Sequence, residues 1–227
     1  MAKKSRKARR RVDVERPLVL VLLFVVVVLF AVGGVVQGPK IARIVHSEIG
    51  MRGVEAHAPA IVKVASAAGL DPALMAGICY VESRGKLDAL SSKGAMGLFQ
   101  LMPSAASDAA QRLKLNPPTK AELLSNAELN ARLAASHLVW LHKLEGPEWE
   151  RTLVAYNAGR GKLKQWLDAA GGWERWRATR AGRSETLHYA QTCLAYAERF
   201  RARESFAPAS AVPPAESTSA AAQPPRR

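Results

Sequence analysis

Residues 80–106 decide the fold; they read YVESRGKLDALSSKGAMGLFQLMPSAA. Glu82 ends an apolar segment that opens with Asp-Pro at residues 71–72, a pattern typical of a helix N-terminus. A carboxyl buried at the end of this helix would keep its proton near neutral pH, because burial and the negative end of the helix dipole both disfavour its charge. Gln100 interrupts a run of Leu, Phe and Met. The ordinary alternatives are a solvated glutamate at a helix end and an outward-pointing glutamine.

A protonated carboxyl that faces a groove suits one kind of chemistry, the protonation of a glycosidic oxygen. Gly94 and Gly97 allow the loop after Glu82 to pack closely and to expose backbone groups to a ligand. The Gln100 amide offers both donors and an acceptor, which matches the hydroxyl and acetamido groups of a sugar. Each feature is weak by itself, so these residues alone leave the solvated alternatives open.

The same stretch resembles the signature of the soluble lytic transglycosylase family, which reads Glu-Ser, then Ala-x-Ser-x-x-Gly-Ala-x-Gly-Leu-Met-Gln-x-Met-Pro. The matching positions fall in register without a gap on Glu82–Ser83, Ala89, Ser91, Gly94–Ala95, Gly97–Leu98, Gln100 and Met102–Pro103. A second family motif, Ala-Tyr-Asn-Ala-Gly, stands at residues 155–159, and a third, Glu-Thr-x-x-Tyr, at residues 185–189. Three motifs in one order are too many to agree by chance.

The resemblance implies a lysozyme-like fold that cleaves the β-1,4 bond between N-acetylmuramic acid and N-acetylglucosamine and leaves a 1,6-anhydro end. It implies that Glu82 is catalytic: the carboxyl protonates the leaving oxygen and then takes the proton of the muramoyl 6-hydroxyl. A second carboxylate is then unnecessary, and Asp88 is interpreted as a solvated loop charge. The resemblance also implies that Tyr156 helps to orient Glu82. The residues expected to contact the glycan are Ser91, Gln100, Met102, Tyr156, Asn157 and Glu185.

The chain departs from the family pattern in two places. Phe99 replaces the usual Met, an apolar exchange expected to face the core. Leu187 stands where an Arg often follows Glu-Thr, and Gly-Arg-Ser precedes Glu185 where a Pro is common, so contacts at that end of the cleft are open. Without the motifs, Tyr156 would be interpreted as a core aromatic and Asn157 as a helix cap.

The predicted fold class is mainly α, a lysozyme-like catalytic domain over residues 55–203. Apolar residues recur there with helical periodicity, and no alternating strand is found; only the loop at residues 91–101 could hold an extended pair. Helix N-terminal signals stand at Asp71, residues 119–122, Asn126 and Ser184. Trp173 and Trp176 are expected to pack within a mobile loop, with stacking on sugar rings as the alternative.

The chain before this domain has a different organisation: a basic tail at residues 1–17, an uncharged run at 18–36 and a spacer at 37–54. At ~1.5 Å per helical residue the run LVLVLLFVVVVLFAVGGVV spans ~28 Å, close to the ~30 Å of a bilayer core. The basic residues before it favour a cytoplasmic N-terminus. We therefore predict a single-pass anchor in the bacterial cytoplasmic (inner) membrane and a periplasmic catalytic domain. The alternative is a cleaved signal peptide, whose apolar region usually runs about 7–15 residues.

The net charge of +14 does not by itself indicate nucleic acid, because the densest basic run adjoins the predicted anchor and anionic lipid is nearer. Residues 204–227, rich in Pro, Ala and Ser, are predicted to be disordered. The histidines and cysteines show no metal-ligand spacing, so neither a metal nor another cofactor is predicted. Cys79 and Cys193 are expected to be separate buried thiols, with a disulfide as the alternative.

Two rival functions remain open from the sequence. A hydrolytic muramidase of the same fold would use water in place of the 6-hydroxyl. A non-catalytic peptidoglycan-binding protein would serve an envelope machine as a scaffold. The expected partners are peptidoglycan glycan strands, the membrane through the N-terminal helix, and further proteins of the envelope machinery; no nucleic acid is expected.

Overall fold

The computed structural model of the chain describes residues 41–206, which fall into two compact units with a boundary between Glu48 and Ile49. The predicted basic tail (1–17), apolar run (18–36) and most of the C-terminal tail (207–227) lie outside the described residues. The helices are α1 (residues 41–55), α2 (Ala58–Ala67), α3 (Pro72–Ser83), α4 (Pro103–Arg112), α5 (Lys120–Ser125), α6 (Ala127–Glu145), α7 (Trp149–Ala158), α8 (Arg160–Ala170), α9 (Trp173–Arg180) and α10 (Glu185–Arg201), followed by a 3-10 turn, Glu204–Phe206. The mainly α prediction is confirmed.

The predicted helix starts are capped by the expected side chains. Oxygens of Asp71, Asn126 and Ser184 each accept a backbone N–H two or three residues further on, at 2.9, 2.9 and 3.2 Å. Thr119 and Glu122 form the reciprocal capping box at the start of α5. These bonds satisfy donors that the first helical turn leaves without an intrahelical partner.

The central helix is α3, and α10 packs along it. The two backbones meet closely at Gly77: a Cβ there would collide with the Cys193 carbonyl oxygen and the Ala197 amide nitrogen. Any larger residue at position 77 would therefore push α10 away from α3. This contact brings the end of α3 beside the N-terminal half of α10.

The core extends beyond the predicted bounds of residues 55–203. Met51 and Val54 of α1 are fully buried, and so is Phe206 after α10. Residues 37–54, interpreted as a spacer, therefore contribute core side chains at their C-terminal end. Residues 41–48, which belong to the other unit, are helical.

The prediction of a mobile loop around Trp173 and Trp176 is wrong. Both residues lie in helix α9, and both side chains are buried. The Trp176 ring stacks on Trp173 and on Trp166, with centroids 5.4 and 5.5 Å apart. The indole N–H of Trp173 donates to Glu148 at 2.6 Å. The tryptophans hold α9 against α8, which agrees with a packing role.

Among residues 41–206, no helix combines the length and apolar character that a membrane crossing needs. Extended pairing in this region occurs as two isolated bridges, Leu90 with Met96 and Met96 with Leu101. The sequence allowed an extended pair at residues 91–101, and the first bridge begins one residue before that segment.

Candidate active site

The candidate catalytic carboxyl of Glu82 lies in the last turn of α3 and is half-buried. The Tyr189 hydroxyl, from α10, donates a hydrogen bond of 2.6 Å to its Oε1 atom. Burial raises the pKa of Glu82 to about 7, and the bond from Tyr189 opposes this rise because it stabilises the carboxylate. Near neutral pH the group is thus divided between its protonated and charged forms and can give or take a proton.

The loop that follows α3 is fixed by polar side chains from three helices. The Ser83 hydroxyl donates to the Leu98 carbonyl at 2.8 Å. At the next residue, Phe99, the backbone N–H donates to Asn130 Oδ1 at 3.0 Å, and the carbonyl accepts from the Tyr156 hydroxyl at 2.7 Å. Both backbone polar groups of Phe99, the N–H and the carbonyl, are therefore hydrogen-bonded to side chains. The segment around Phe99 is therefore fixed by side-chain bonds, although it does not belong to a sheet.

Asn130 is the centre of this arrangement and was not predicted from the sequence. Its side chain is fully buried, and its amide nitrogen donates to the Met96 and Leu123 carbonyls at 3.1 Å each. Gly97 adopts φ 79°, and a Cβ at this position would collide with the Asn130 amide. A lone Asn inside the apolar face of a long helix is the signal that could have identified it.

Gln100 lies in the loop with φ 46°, a left-handed conformation that is uncommon for a residue with a side chain. Its amide nitrogen donates to the carbonyls of Ala89 and Gly97 at 3.0 and 3.1 Å. Both amide hydrogens are thereby used to close the loop. Only the carbonyl oxygen of the Gln100 amide is left to accept a bond from a sugar.

The other predicted glycan contacts differ in exposure. Ser91 accepts the Ala95 N–H at 2.9 Å and so shapes the loop. Met102, at the start of α4, is 42% exposed. Asn157, near the end of α7, and Glu185, at the start of α10, are exposed. A ligand can therefore reach Ser91, Met102, Asn157 and Glu185, whereas the Gln100 side chain mainly fixes the conformation of the loop.

The hydrogen-bond partners of the two motif tyrosines, Tyr156 and Tyr189, differ from the role that the resemblance implied for Tyr156. The resemblance suggested that Tyr156 orients Glu82, but its hydroxyl donates to the backbone of Phe99. The direct bond to Glu82 comes from Tyr189, the last residue of the third motif, which was not among the predicted site residues. Burial, followed by the nearby Glu82 charge, raises the pKa of both tyrosines well above the usual value. Both hydroxyls therefore remain protonated donors.

Other expectations concern groups around the site. Asp88 is exposed, as predicted for a solvated loop charge. Cys79 and Cys193 are buried free thiols, as favoured over a disulfide, and burial raises the pKa of both. Within residues 41–206, no cluster of His, Cys, Asp and Glu has the grouping that a metal ion requires.

We expect Tyr189→Phe to raise the pKa of Glu82, because the variant loses the hydrogen bond that stabilises the charged carboxylate. Tyr156→Phe is the matched control: it removes a hydroxyl that binds Phe99, so it should leave the Glu82 pKa nearly unchanged. An NMR titration of the Glu82 carboxyl carbon measures both. A Glu82 pKa that stays at the wild-type value in Tyr189→Phe would contradict the assigned bond.

A protein-family model, described as the transglycosylase SLT domain, matches residues 59–178, more than half of the 227 residues. The chain belongs to this family. The match ends before the Glu-Thr-x-x-Tyr motif, so Tyr189 is placed beside Glu82 by the structure rather than by the family match.

Curated relatives of this SLT-domain chain include the endo-type membrane-bound lytic murein transglycosylase A of two Klebsiella pneumoniae strains. Each is 32% identical over 113 residues, which cover 46% of this chain and 56% of the relative. The chain thus matches little more than half the length of these relatives.

Two solved structures share the fold of the SLT domain. An inactive mutant of lytic transglycosylase Slt from Pseudomonas aeruginosa is 30% identical with a TM-score of 0.57, covering 64% of this chain and 24% of that one. The 70 kDa soluble lytic transglycosylase of Escherichia coli is 25% identical with a TM-score of 0.56, covering 63% and 24%. The domain has the mainly helical, lysozyme-like SLT fold that the resemblance implied.

Proposed function

We propose that this protein is a peptidoglycan lytic transglycosylase that cleaves the β-1,4 bond between N-acetylmuramic acid and N-acetylglucosamine. The observation that carries the proposal is the Glu82 carboxyl: it ends a buried helix, has a pKa of about 7 and is held by Tyr189 at 2.6 Å. A general acid works best when its pKa lies near the ambient pH. Membership of the SLT family and the names of the relatives support the same substrate class.

The proposed reaction uses one carboxyl twice. Protonated Glu82 gives its proton to the glycosidic oxygen, which leaves with the electrons of the broken C–O bond. The resulting carboxylate then accepts the proton of the muramoyl 6-hydroxyl as its oxygen bonds to the anomeric carbon, which closes the 1,6-anhydro ring and restores the acid. Tyr189 holds the carboxyl oxygen in place and stabilises the charge between the two steps.

The glycan-binding roles of the remaining motif residues are part of this proposal. Met102 offers exposed apolar surface for a sugar face, while Asn157 and Glu185 offer exposed polar groups for its hydroxyls. The loop that follows α3 contributes Ser91 and the carbonyl oxygen of the Gln100 amide. Tyr156 acts indirectly, as a positioning residue that fixes the Phe99 carbonyl.

Digestion of purified sacculi by the purified protein tests the activity. We expect soluble disaccharide-peptide fragments whose muramic acid ends carry the 1,6-anhydro ring, identified by mass spectrometry. Fragments with reducing ends would instead identify a hydrolytic muramidase. Binding to sacculi without release of fragments would favour the scaffold function.

We also propose that residues 18–36 anchor the protein in the cytoplasmic membrane, with residues 1–17 in the cytoplasm and the catalytic domain on the periplasmic side. The sequence pattern supports this, and the Klebsiella relatives are described as membrane-bound. In spheroplasts, added protease should digest the catalytic domain while intracellular proteins stay intact. A protected domain, or a soluble form that begins after residue 36, would contradict the anchor.

A further inference from the structure

A groove of about 690 Å³ lies between α2, α4 and α6, on residues that the family motifs do not include. Its apolar surface comes from small and aromatic side chains: Val64, Ala68, Leu113, Val139 and Trp140. We refer to it as the α2–α4–α6 groove. Its volume is in the range of about 300–1,000 Å³ that small-ligand sites occupy.

The border of the α2–α4–α6 groove is strongly cationic. Four basic residues line it, Lys63, Arg112, Arg132 and Lys143, and one carboxylate, Glu128, is among the described residues that do so. Glu128 is paired with Lys63 at 2.7 Å. The groove therefore has three cations in excess, and its charge is complementary to an anionic ligand that also carries small apolar groups.

Two of these cations are available to a ligand. Arg132 and Lys143 are exposed and make no ion pair with any other residue in the 41–206 region. Arg112, by contrast, lies over the Trp140 ring at 4.8 Å and shapes the wall of the groove.

The α2–α4–α6 groove is connected to the candidate active site through two side-chain contacts. Arg112 Nη2 donates to His137 Nδ1 at 3.4 Å, and the His137 ring lies 5.6 Å from the Tyr156 ring. Burial, followed by the nearby Arg112 charge, lowers the pKa of His137 to about 4, so this imidazole is neutral and its Nδ1 accepts. Tyr156 in turn donates to the Phe99 carbonyl in the loop that follows α3.

We propose that the α2–α4–α6 groove binds the short acidic peptide stem that the muramic acid residues of peptidoglycan carry. This inference rests on the proposed function, since it assigns a second part of the same substrate to a separate site. The stem carries several free carboxylates for Arg132 and Lys143 and alanine methyl groups for the apolar floor. A four-residue stem extends over at most ~14 Å. For comparison, the contacts that lead from the groove to Tyr156 measure 3.4 Å between Arg112 and His137 and 5.6 Å between the His137 and Tyr156 rings.

A binding measurement that does not depend on catalysis tests the inference. A synthetic stem peptide is titrated into the purified full chain, and NMR shifts of the Trp140 indole and the Arg132 amide report occupancy. We expect the double variant Arg132→Ala/Lys143→Ala to raise the Kd about tenfold, since each exposed charge contact contributes up to ~1 kcal/mol. Glu128→Gln should lower the Kd, because it releases Lys63.

The matched control is Lys120→Ala/Arg183→Ala, which removes two exposed cations outside the α2–α4–α6 groove. It should bind the stem peptide as the wild type does. Absence of binding by the wild type, or equal losses in the groove and control variants, would overturn the inference. Binding of an acidic protein segment in place of the stem peptide would overturn it as well.

A second arm separates this inference from the proposed function. The groove variant should release fragments more slowly from intact sacculi at low substrate concentration, and at the wild-type rate from glycan strands stripped of stems by an amidase. Equal rates for the variant and the wild type on intact sacculi would contradict the groove alone. Failure of the wild type on both substrates would contradict the proposed activity, and the binding titration would still decide the groove.

Discussion

Glu82→Gln should reduce the release of soluble fragments from peptidoglycan by about 10³-fold or more. The amide has the shape of the carboxyl but can neither protonate the leaving oxygen nor accept the proton of the attacking hydroxyl. The Tyr189 hydroxyl can still donate to the amide oxygen, so the fold and glycan binding should remain. Fragment release and binding to sacculi are measured on the same preparation.

Asp88→Asn is the control for this result. Asp88 follows Glu82 by six residues and is exposed, so its loss should leave fragment release near the wild-type rate. A similar loss in both variants would indicate a mechanism with two carboxyls. Substantial release of anhydro products by Glu82→Gln would eliminate Glu82 as the acid.

Asn130→Ala should lower the free energy of unfolding by about 3–5 kcal/mol. The variant leaves two buried backbone groups without the partner that Asn130 provides, the N–H of Phe99 and the carbonyl of Leu123. It also removes one of two bonds to the Met96 carbonyl, which still accepts the Leu101 N–H at 3.0 Å. The cost of an unsatisfied buried polar group is about 1–3 kcal/mol for each. Denaturant unfolding of the purified variant and the wild type measures the difference.

Asn157→Ala provides the comparison, because this second asparagine is exposed and its loss should cost less than about 0.5 kcal/mol. If Asn130→Ala were no less stable than Asn157→Ala, the segment around Phe99 would not depend on the bonds described here. Because Asn130 also fixes the loop that is bonded to Ser83, the neighbour of Glu82, fragment release should fall with stability.

The sequence predicted the features that depend on residues close together in the chain. The caps at Asp71, Asn126 and Ser184 depend on side chains within three residues of the bonds they make, so the helix starts agreed with the structure. The position of Glu82 at the end of a buried helix followed from the apolar run before it. Its elevated pKa follows from the burial that this run implies.

Features that depend on contacts between distant segments were missed. The bond from Tyr189 to Glu82 joins residues 107 positions apart, and spacing within a motif carries no information about such a pair. The point at which α3 and α10 cross, Gly77, could not be predicted from the sequence, since a helical glycine has several causes. Helix α9 was interpreted as a loop because its stability comes from the stacking of three tryptophans rather than from its own periodicity.

Gln100 shows how one residue type can suit two roles. A donor and acceptor in a groove-lining segment indicates sugar binding, but the left-handed backbone and the bonds to Ala89 and Gly97 turn its nitrogen inward. The family resemblance implies that Gln100 contacts the glycan, and this stays a prediction. In the structure, the Gln100 side chain mainly fixes the conformation of the loop.

The most direct test of the single-carboxyl mechanism is digestion of sacculi in heavy-oxygen water, with mass spectrometry of the new muramic acid ends. If Glu82 protonates the leaving oxygen and then deprotonates the 6-hydroxyl, the products carry anhydro ends and contain no oxygen from the solvent. Reducing ends that contain the heavy isotope would show that water is the nucleophile and would contradict the mechanism.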